Sequence, residues 1–116
     1  MEENNKKIIQ EFINYLNSDE IKYKFEGLGY SYNNKIYDFI DYCYKNDITL
    51  KYKNEEERKI LQLMSVEAMS KDEIRKYLYV IFRGERFCSG LIMKNIKNGK
   101  LSLLLEMLIS EFEINV

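Results

Sequence analysis

One eight-residue segment concentrates the side chains that could do chemistry: Arg83-Gly84-Glu85-Arg86-Phe87-Cys88-Ser89-Gly90. Its two guanidinium groups, on Arg83 and Arg86, flank the predicted start of a helix near Glu85. Arginine forks and the free backbone N–H groups of a helix N-terminus both bind anions. The segment therefore predicts a site for a phosphate or carboxylate group, formed by Arg83, Glu85, Arg86 and Cys88.

The same segment also has a purely structural interpretation, and we favour it. Arg86 would pair with a carboxylate such as Glu73 or Asp38, and Glu85 would cap the helix. Phe87 would then lie in the core. Because ion-pair networks explain arginines of this kind without any ligand, both interpretations stay open at the level of the sequence.

The thiol of Cys88 has two interpretations as well. A cysteine just inside a helix N-terminus and beside two arginines is expected to be reactive, which is typical of a redox sensor. The chain has no histidine, however, and Cys43 lies 45 positions away without a CxxC motif, so a buried packing cysteine is favoured. Without metal-ligand spacing, a glycine-rich phosphate loop or a nucleophile–base pair, we expect no metal, no cofactor and no catalysis.

Positive charge is concentrated in and after this segment. Residues 83–100 carry five basic side chains, including Lys94, Lys97 and Lys100, against one acidic side chain, a local net charge of +4. If residues 71–82 and 86–98 formed a helix-turn-helix, this basic patch could contact DNA phosphates. The whole chain has a net charge of −1, whereas nucleic-acid binders usually carry a strong basic excess. DNA binding is therefore only the third candidate function, and nucleic acid is not an expected partner.

Tyrosine is concentrated in the first half of the chain. Eight of the ten tyrosines lie between residues 15 and 52, interspersed with acidic side chains. An exposed cluster of this kind predicts a protein interface, since tyrosine offers a large contact area with a polar tip. The alternative is that most of these rings are half-buried core or rim residues. The candidate contact residues are Tyr23, Tyr30, Tyr32, Tyr42 and Tyr44.

Helical periodicity dominates the elements that must position these residues. The apolar spacing predicts helices over residues 5–17 and 36–46, one capped by Asn54, one from a Ser70–Glu73 capping box to Gly84, one from Glu85 to Asn98, and one over 101–112. Alternating residues predict a small β element near residues 21–32 or 48–52. The expected fold is mainly α, a compact orthogonal bundle of five or six helices in a single domain, 1–116.

The C-terminal part of the chain resembles a known family. The residues that carry the resemblance are RGERFCSGLI at 83–92, Asn98-Gly99, LLEML at 104–108 and, more weakly, IYDFI at 36–40. They are similar to an uncharacterised domain-of-unknown-function family of small bacterial and phage proteins that share an R-x-[DE]-R-F-C-x-G core. The resemblance implies no established reaction.

The leading expectation is a small, non-enzymatic, cytoplasmic binding protein that acts through contact with a protein partner. The chain has neither a secretory signal pattern nor an apolar run of membrane-spanning length. One concrete version is a phage or mobile-element protein that interferes with a bacterial defence system. The alternative is a module that binds a small anionic ligand or nucleotide through Arg83 and Arg86, and a homodimer is left open.

Overall fold

The described residues form six helices and one β-hairpin. The structure is a computed structural model that describes residues 2–114, with side chains for residues 2–110. The elements are α1 (Glu3–Leu16), β1 (Tyr23–Glu26), β2 (Gly29–Tyr32), α2 (Asn34–Lys45), α3 (Glu55–Leu63), a 3₁₀ turn (Val66–Ala68), α4 (Lys71–Gly84), α5 (Leu91–Lys97) and α6 (Lys100–Ile114). The predicted mainly α fold with a small β element is confirmed.

The β element forms at the first of its two predicted positions. β1 and β2 pair antiparallel, with Tyr23 opposite Tyr32. The hairpin turn passes through Gly27 at φ 60°, a conformation that costs glycine little. Residues 48–52 do not form a strand. There the Leu50 N–H donates instead to the Arg75 carbonyl of α4, at 3.3 Å.

Side-chain caps fix the starts of two helices, as the sequence predicts. The Asn54 side chain accepts from the Glu57 N–H at 2.9 Å and begins α3. At α4, the Ser70 hydroxyl accepts from the Glu73 N–H at 3.2 Å, and the Glu73 carboxylate accepts from the Ser70 N–H at 2.8 Å. A cap of this kind contributes about 1 kcal/mol, so α4 has a well-defined N-terminus.

α6 lies at the centre of the core. It packs against α1, α4 and α5, and a helix surrounded in this way is apolar around most of its circumference. Its fully buried side chains are Leu101, Leu104, Leu105 and Leu108. The same core cluster includes Ile74, Leu78 and Ile81 of α4. The core therefore holds α4 in place, and the last turn of α4 carries the start of the eight-residue segment.

The helix predicted from Glu85 begins later, at Leu91. α4 ends at Gly84, as predicted, but residues 85–90 form a turn. Gly90 stands immediately before α5 with φ 95°, in the left-handed region that no continuous right-handed helix can include. The prediction of a helix from residue 85 was wrong for this reason.

Among residues 2–114, no helix combines the length and the apolarity that crossing a bilayer requires. The radius of gyration is 13.8 Å, close to the value of about 13 Å expected for a compact domain of this length.

Candidate functional site

The eight-residue segment divides into an inner and an outer set of residues. The inner set packs between α4, α5 and the hairpin, and it consists of Gly84, Glu85 and Gly90, together with Ser89, which is exposed but hydrogen-bonded to the hairpin. The outer set is exposed to solvent, and it consists of Arg83, Arg86, Phe87 and Cys88. The structural and the ligand-binding interpretations therefore apply to different residues of one segment.

Glu85 caps α5 through two oxygens. Its Oε2 accepts from the Gly90 N–H at 2.8 Å, and its Oε1 accepts from the Ile92 N–H at 2.7 Å. The Tyr32 hydroxyl donates to Oε1 at 2.9 Å and accepts from the Met93 N–H at 3.1 Å. The structural interpretation of Glu85 agrees with this geometry. The anion interpretation needs correction, because these protein groups already occupy the N–H groups of α5 that were expected to bind a ligand.

Tyr32 connects this cap to the hairpin. Its ring is buried, and burial, together with the neighbouring Glu85 carboxylate, raises the pKa of its hydroxyl group. The Tyr32 hydroxyl is therefore neutral at physiological pH and can donate to the carboxylate. Tyr32 was predicted as an exposed partner-binding residue, and that prediction was wrong because the α5 cap requires its hydroxyl group inside the fold.

Close packing fixes the remaining inner residues. The Ser89 hydroxyl accepts from the Tyr30 N–H at 3.1 Å. A Cβ atom at Gly90 would lie 3.0 Å from the Tyr30 ring, and one at Gly84 would lie 2.5 Å from the Leu91 side chain. Position 90 therefore needs glycine, because its φ is 95° and the Tyr30 ring covers it, whereas at Gly84 the contact is only with the end of the flexible Leu91 side chain. The hairpin is held against the turn at Ser89 and Gly90.

The outer arginines do not form the ion pairs that the structural interpretation predicts. Among the described residues, no carboxylate lies within 4.0 Å of the Arg83 or Arg86 guanidinium. The expected pairing of Arg86 with Glu73 or Asp38 is absent from this part of the chain, since Glu73 is used in the α4 capping box.

Phe87 and Cys88 do not lie in the core. Phe87 is 78% exposed, and the Cys88 thiol is exposed, whereas Cys43 is buried. The expectation that Cys88 is a packing cysteine was wrong. It assumed a continuous helix that would turn these side chains inward, and residues 85–90 form a turn instead.

Arg83 and Arg86 line a cleft of about 540 Å³ between the end of α2, the 47–51 connection and the last turns of α4. Its lining residues are Tyr44, Asp47, Thr49, Leu50, Lys51, Tyr79, Arg83 and Arg86. Three of these side chains are cationic and one is anionic. The Tyr44 and Tyr79 rings meet edge to face, with centroids 6.2 Å apart. We call this space the cationic cleft.

A chain-wide match decides the family. The family model described as Family of unknown function (DUF6508) matches residues 2–113. The chain belongs to DUF6508. The resemblance to a domain of unknown function is thereby confirmed at that level. A comparison with curated proteins and with solved structures gave no match.

In this DUF6508 chain, Arg75 holds the wall of the cationic cleft in place. Its Nη2 donates to the Asp47 carbonyl at 2.7 Å, and its Nε donates to the Ile48 carbonyl at 3.3 Å. Asp47 has a left-handed backbone, φ 52°, so the chain turns sharply after α2. Ile48 is buried behind the wall, and Thr49, which lines the cleft, is also buried. The connection that carries Lys51 is therefore tied to α4.

The arginines of the cationic cleft affect the pKa of Tyr44. The pKa of the Tyr44 hydroxyl is raised on balance, chiefly by burial and also by the neighbouring Tyr79, while Arg86 and Arg83 act in the opposite direction. Both arginines are thus close enough to favour negative charge at the mouth of the cleft. This is the electrostatic property that an anion site needs.

The other predicted tyrosines of the DUF6508 chain do not share one surface with Tyr44. Tyr23 and Tyr30 are half-buried in the hairpin, with rings 6.0 Å apart. Tyr42 is half-buried, and its hydroxyl group donates to Asn5. The most exposed large side chains near the hairpin are instead apolar: Ile21, Phe25 and Leu28.

The predicted basic patch is also divided. Lys94 and Lys97 are exposed on α5. Lys100 is engaged, since its Nζ donates to the Tyr77 hydroxyl at 2.7 Å and lies 4.5 Å from the centre of that ring. α5 has seven residues and is about 10 Å long, much shorter than the predicted recognition helix over 86–98.

Five lining residues of the cationic cleft were not predicted from the sequence, and Tyr79 and Lys51 are the two of them that matter most for ligand binding. Tyr79 lies four residues before Arg83 on α4, so helical spacing could have placed the two side chains on one face. Lys51 carried no such signal, because only the folded connection between α2 and α3 brings it to α4.

Proposed function

We propose that this DUF6508 protein is a small, non-enzymatic binding protein whose cationic cleft takes the anionic group of a small ligand. One observation carries the proposal. Arg83, Arg86 and Lys51 line a single cleft, and within the described residues no carboxylate pairs with any of the three. Arginine side chains of this kind are suited to bind phosphate with two parallel hydrogen bonds.

The dimensions and lining of the cleft support a small molecule. A volume of about 540 Å³ falls within the range of roughly 300–1,000 Å³ typical of ligand sites. Tyr44 and Tyr79 add aromatic surface and two hydroxyl groups next to the cations. A phosphorylated compound with a planar ring, such as a nucleoside monophosphate, matches this combination.

Calorimetric titration with inorganic phosphate, adenosine 5′-monophosphate and adenosine tests the proposal. We expect adenosine 5′-monophosphate to bind, adenosine to bind much more weakly, and Arg86→Ala to lose about tenfold or more in affinity. That loss corresponds to one hydrogen bond between charged groups, roughly 1.5–3 kcal/mol. Lys97→Ala is the matched control, because it removes an exposed cation from α5 outside the cleft.

Two results would contradict the proposal. The first is no binding of either phosphate compound to the wild-type protein. The second is equal affinity of the wild type and a folded Arg86→Ala variant, since the ligand would then lie elsewhere.

The second candidate function is protein contact, and the hairpin favours it. Phe25 is 65% and Leu28 102% exposed at the hairpin, with Ile21 at 76% beside it. Several large apolar side chains exposed in one short segment are typical of interaction sites. In this version the chain is a cytoplasmic protein of phage or mobile-element type that blocks a component of a bacterial defence system. Phage origin and cytoplasmic location remain predictions from the sequence.

A change at the hairpin tests the second candidate. Leu28→Asp should abolish recovery of a stoichiometric protein partner from the native host, while Arg86→Ala should leave it intact. Leu28→Asp leaves the fold unchanged because its side chain is fully exposed. Retention of the partner by both variants would exclude the hairpin as the contact surface.

A further inference from the structure

We propose that the cationic cleft continues past Arg83 into a second cleft, and that the joined groove binds a short single-stranded oligonucleotide. This inference rests on the proposed function and deepens it by naming the ligand class. Two features support it: Arg83 lines both clefts, and the exposed ring of Phe87 lines the second one.

The two clefts share a wall. The second cleft, of about 480 Å³, lies between α3, the end of α4 and the 85–91 segment, and Arg83 lines both clefts. Tyr52 lines the second cleft, and its ring centre lies 5.6 Å from that of Tyr79 in the first. The rings of Tyr44, Tyr79 and Tyr52 therefore follow one another along the joined groove.

Phe87 supplies an aromatic surface that the fold does not use. Its ring is 78% exposed, although it lines the second cleft. The Arg83 guanidinium lies 5.7 Å from the ring centre, a cation–π distance that holds the ring next to the cation. An exposed aromatic ring beside an arginine is an arrangement on which a nucleic-acid base can stack.

The combination of cations and aromatic rings in these two clefts matches the chemistry of a single strand. Lys51, Arg83 and Arg86 supply charge for phosphates, and Phe87 and the tyrosines supply ring surface for bases. Arg58 of the second cleft is already bonded to Glu55 at 2.6 Å and to Gln62 at 3.0 Å, so the phosphate contacts number about three. For three contacts on a single strand, log affinity should fall with log salt concentration with a slope of about −2.

This local groove is compatible with the net charge of −1. The charge argues against binding of long duplexes, where many phosphates must be neutralised, but a groove with three cations needs only two or three nucleotides. An acidic peptide would use the same cations without using Phe87. The aromatic surface is what favours an oligonucleotide over a peptide.

Fluorescence anisotropy with fluorescein-labelled tetrathymidylate tests the inference, with thymidine 5′-monophosphate and hexaglutamate as competitors. We expect the tetranucleotide to bind at least tenfold more tightly than the mononucleotide. Phe87→Ala should lower the affinity for the tetranucleotide about 5-fold or more, the contribution of one stacked base. It should leave the affinity for the mononucleotide unchanged. Phe87→Tyr should retain the affinity. Phe25→Ala is the matched control, since it removes an exposed phenyl ring from the hairpin.

The outcomes separate this inference from the proposed function. Equal affinity for mononucleotide and tetranucleotide, or no effect of Phe87→Ala, would overturn the groove and leave the cationic cleft standing. Competition by hexaglutamate as strong as that by the tetranucleotide would show that charge alone is recognised and would overturn the nucleic-acid ligand. Failure of all three probes to bind would overturn both proposals.

Discussion

Replacing Glu85 by alanine should destabilise the protein strongly, although the side chain is half-buried and outside the cationic cleft. The substitution removes the acceptor of three hydrogen bonds, from the Gly90 N–H, the Ile92 N–H and the Tyr32 hydroxyl. A hydrogen bond to a charged group contributes roughly 1.5–3 kcal/mol, and loss of a helix N-cap costs roughly 0.5–2 kcal/mol.

These contributions overlap, because the three donors share one carboxylate and water reaches part of the site after the substitution. We therefore expect a loss of about 2–4 kcal/mol in the free energy of unfolding. For a chain of this length, that corresponds to a decrease in Tm of about 8–16 °C. Urea unfolding followed by circular dichroism gives the free energy, and calorimetry gives the Tm.

Arg86→Ala is the matched control for this prediction. Arg86 is the next residue, it is exposed, and within the described residues it forms no ion pair, so its loss should cost less than about 0.5 kcal/mol. The loss of stability in Glu85→Gln should fall between those of Glu85→Ala and Arg86→Ala, because the amide keeps one acceptor oxygen but directs its NH₂ group toward a donor. A Tm for Glu85→Ala within 2 °C of the wild type, set against the expected decrease, would refute the assignment of Glu85 as the cap of α5.

Two further predictions concern the same segment. Gly90→Ala should destabilise the protein by at least about 1 kcal/mol, measured by urea unfolding, because Gly90 has φ 95° and a Cβ atom would lie 3.0 Å from the Tyr30 ring; equal stability would contradict the packed turn. In the native protein, Cys88 should react rapidly with a colorimetric thiol reagent, and Cys43 should react only on unfolding. If neither thiol reacts rapidly, or if both do, the exposure assigned to these side chains is contradicted.

Local signals in the sequence predicted much of the fold. The Ser70–Glu73 capping box and the apolar spacing after it placed α4, and Gly84 ended it. The alternation near residues 21–32 indicated one of two possible positions for a β element, and the hairpin forms at that one. These features depend on contacts within a few residues, and the side-chain types alone are sufficient to specify them.

The candidate site depends on contacts over long sequence separations, and the sequence predicted it only in part. The Tyr32–Glu85 hydrogen bond joins residues 53 positions apart, so nothing near Glu85 indicated that the α5 N-terminus was already satisfied. The sequence did single out Arg83 and Arg86. It could not show that they face Lys51 and Tyr79, because the fold of the 47–51 connection determines that arrangement.

The most direct test of the cationic cleft is an NMR titration of ¹⁵N-labelled protein with adenosine 5′-monophosphate. We expect saturable shifts of one set of amide resonances, those of Tyr44, Lys51, Tyr79, Arg83 and Arg86, and no shift for Lys94 and Lys97 on α5. Shifts confined to α5, or no saturable shift anywhere, would contradict the assignment of Arg83 and Arg86 to an anion site.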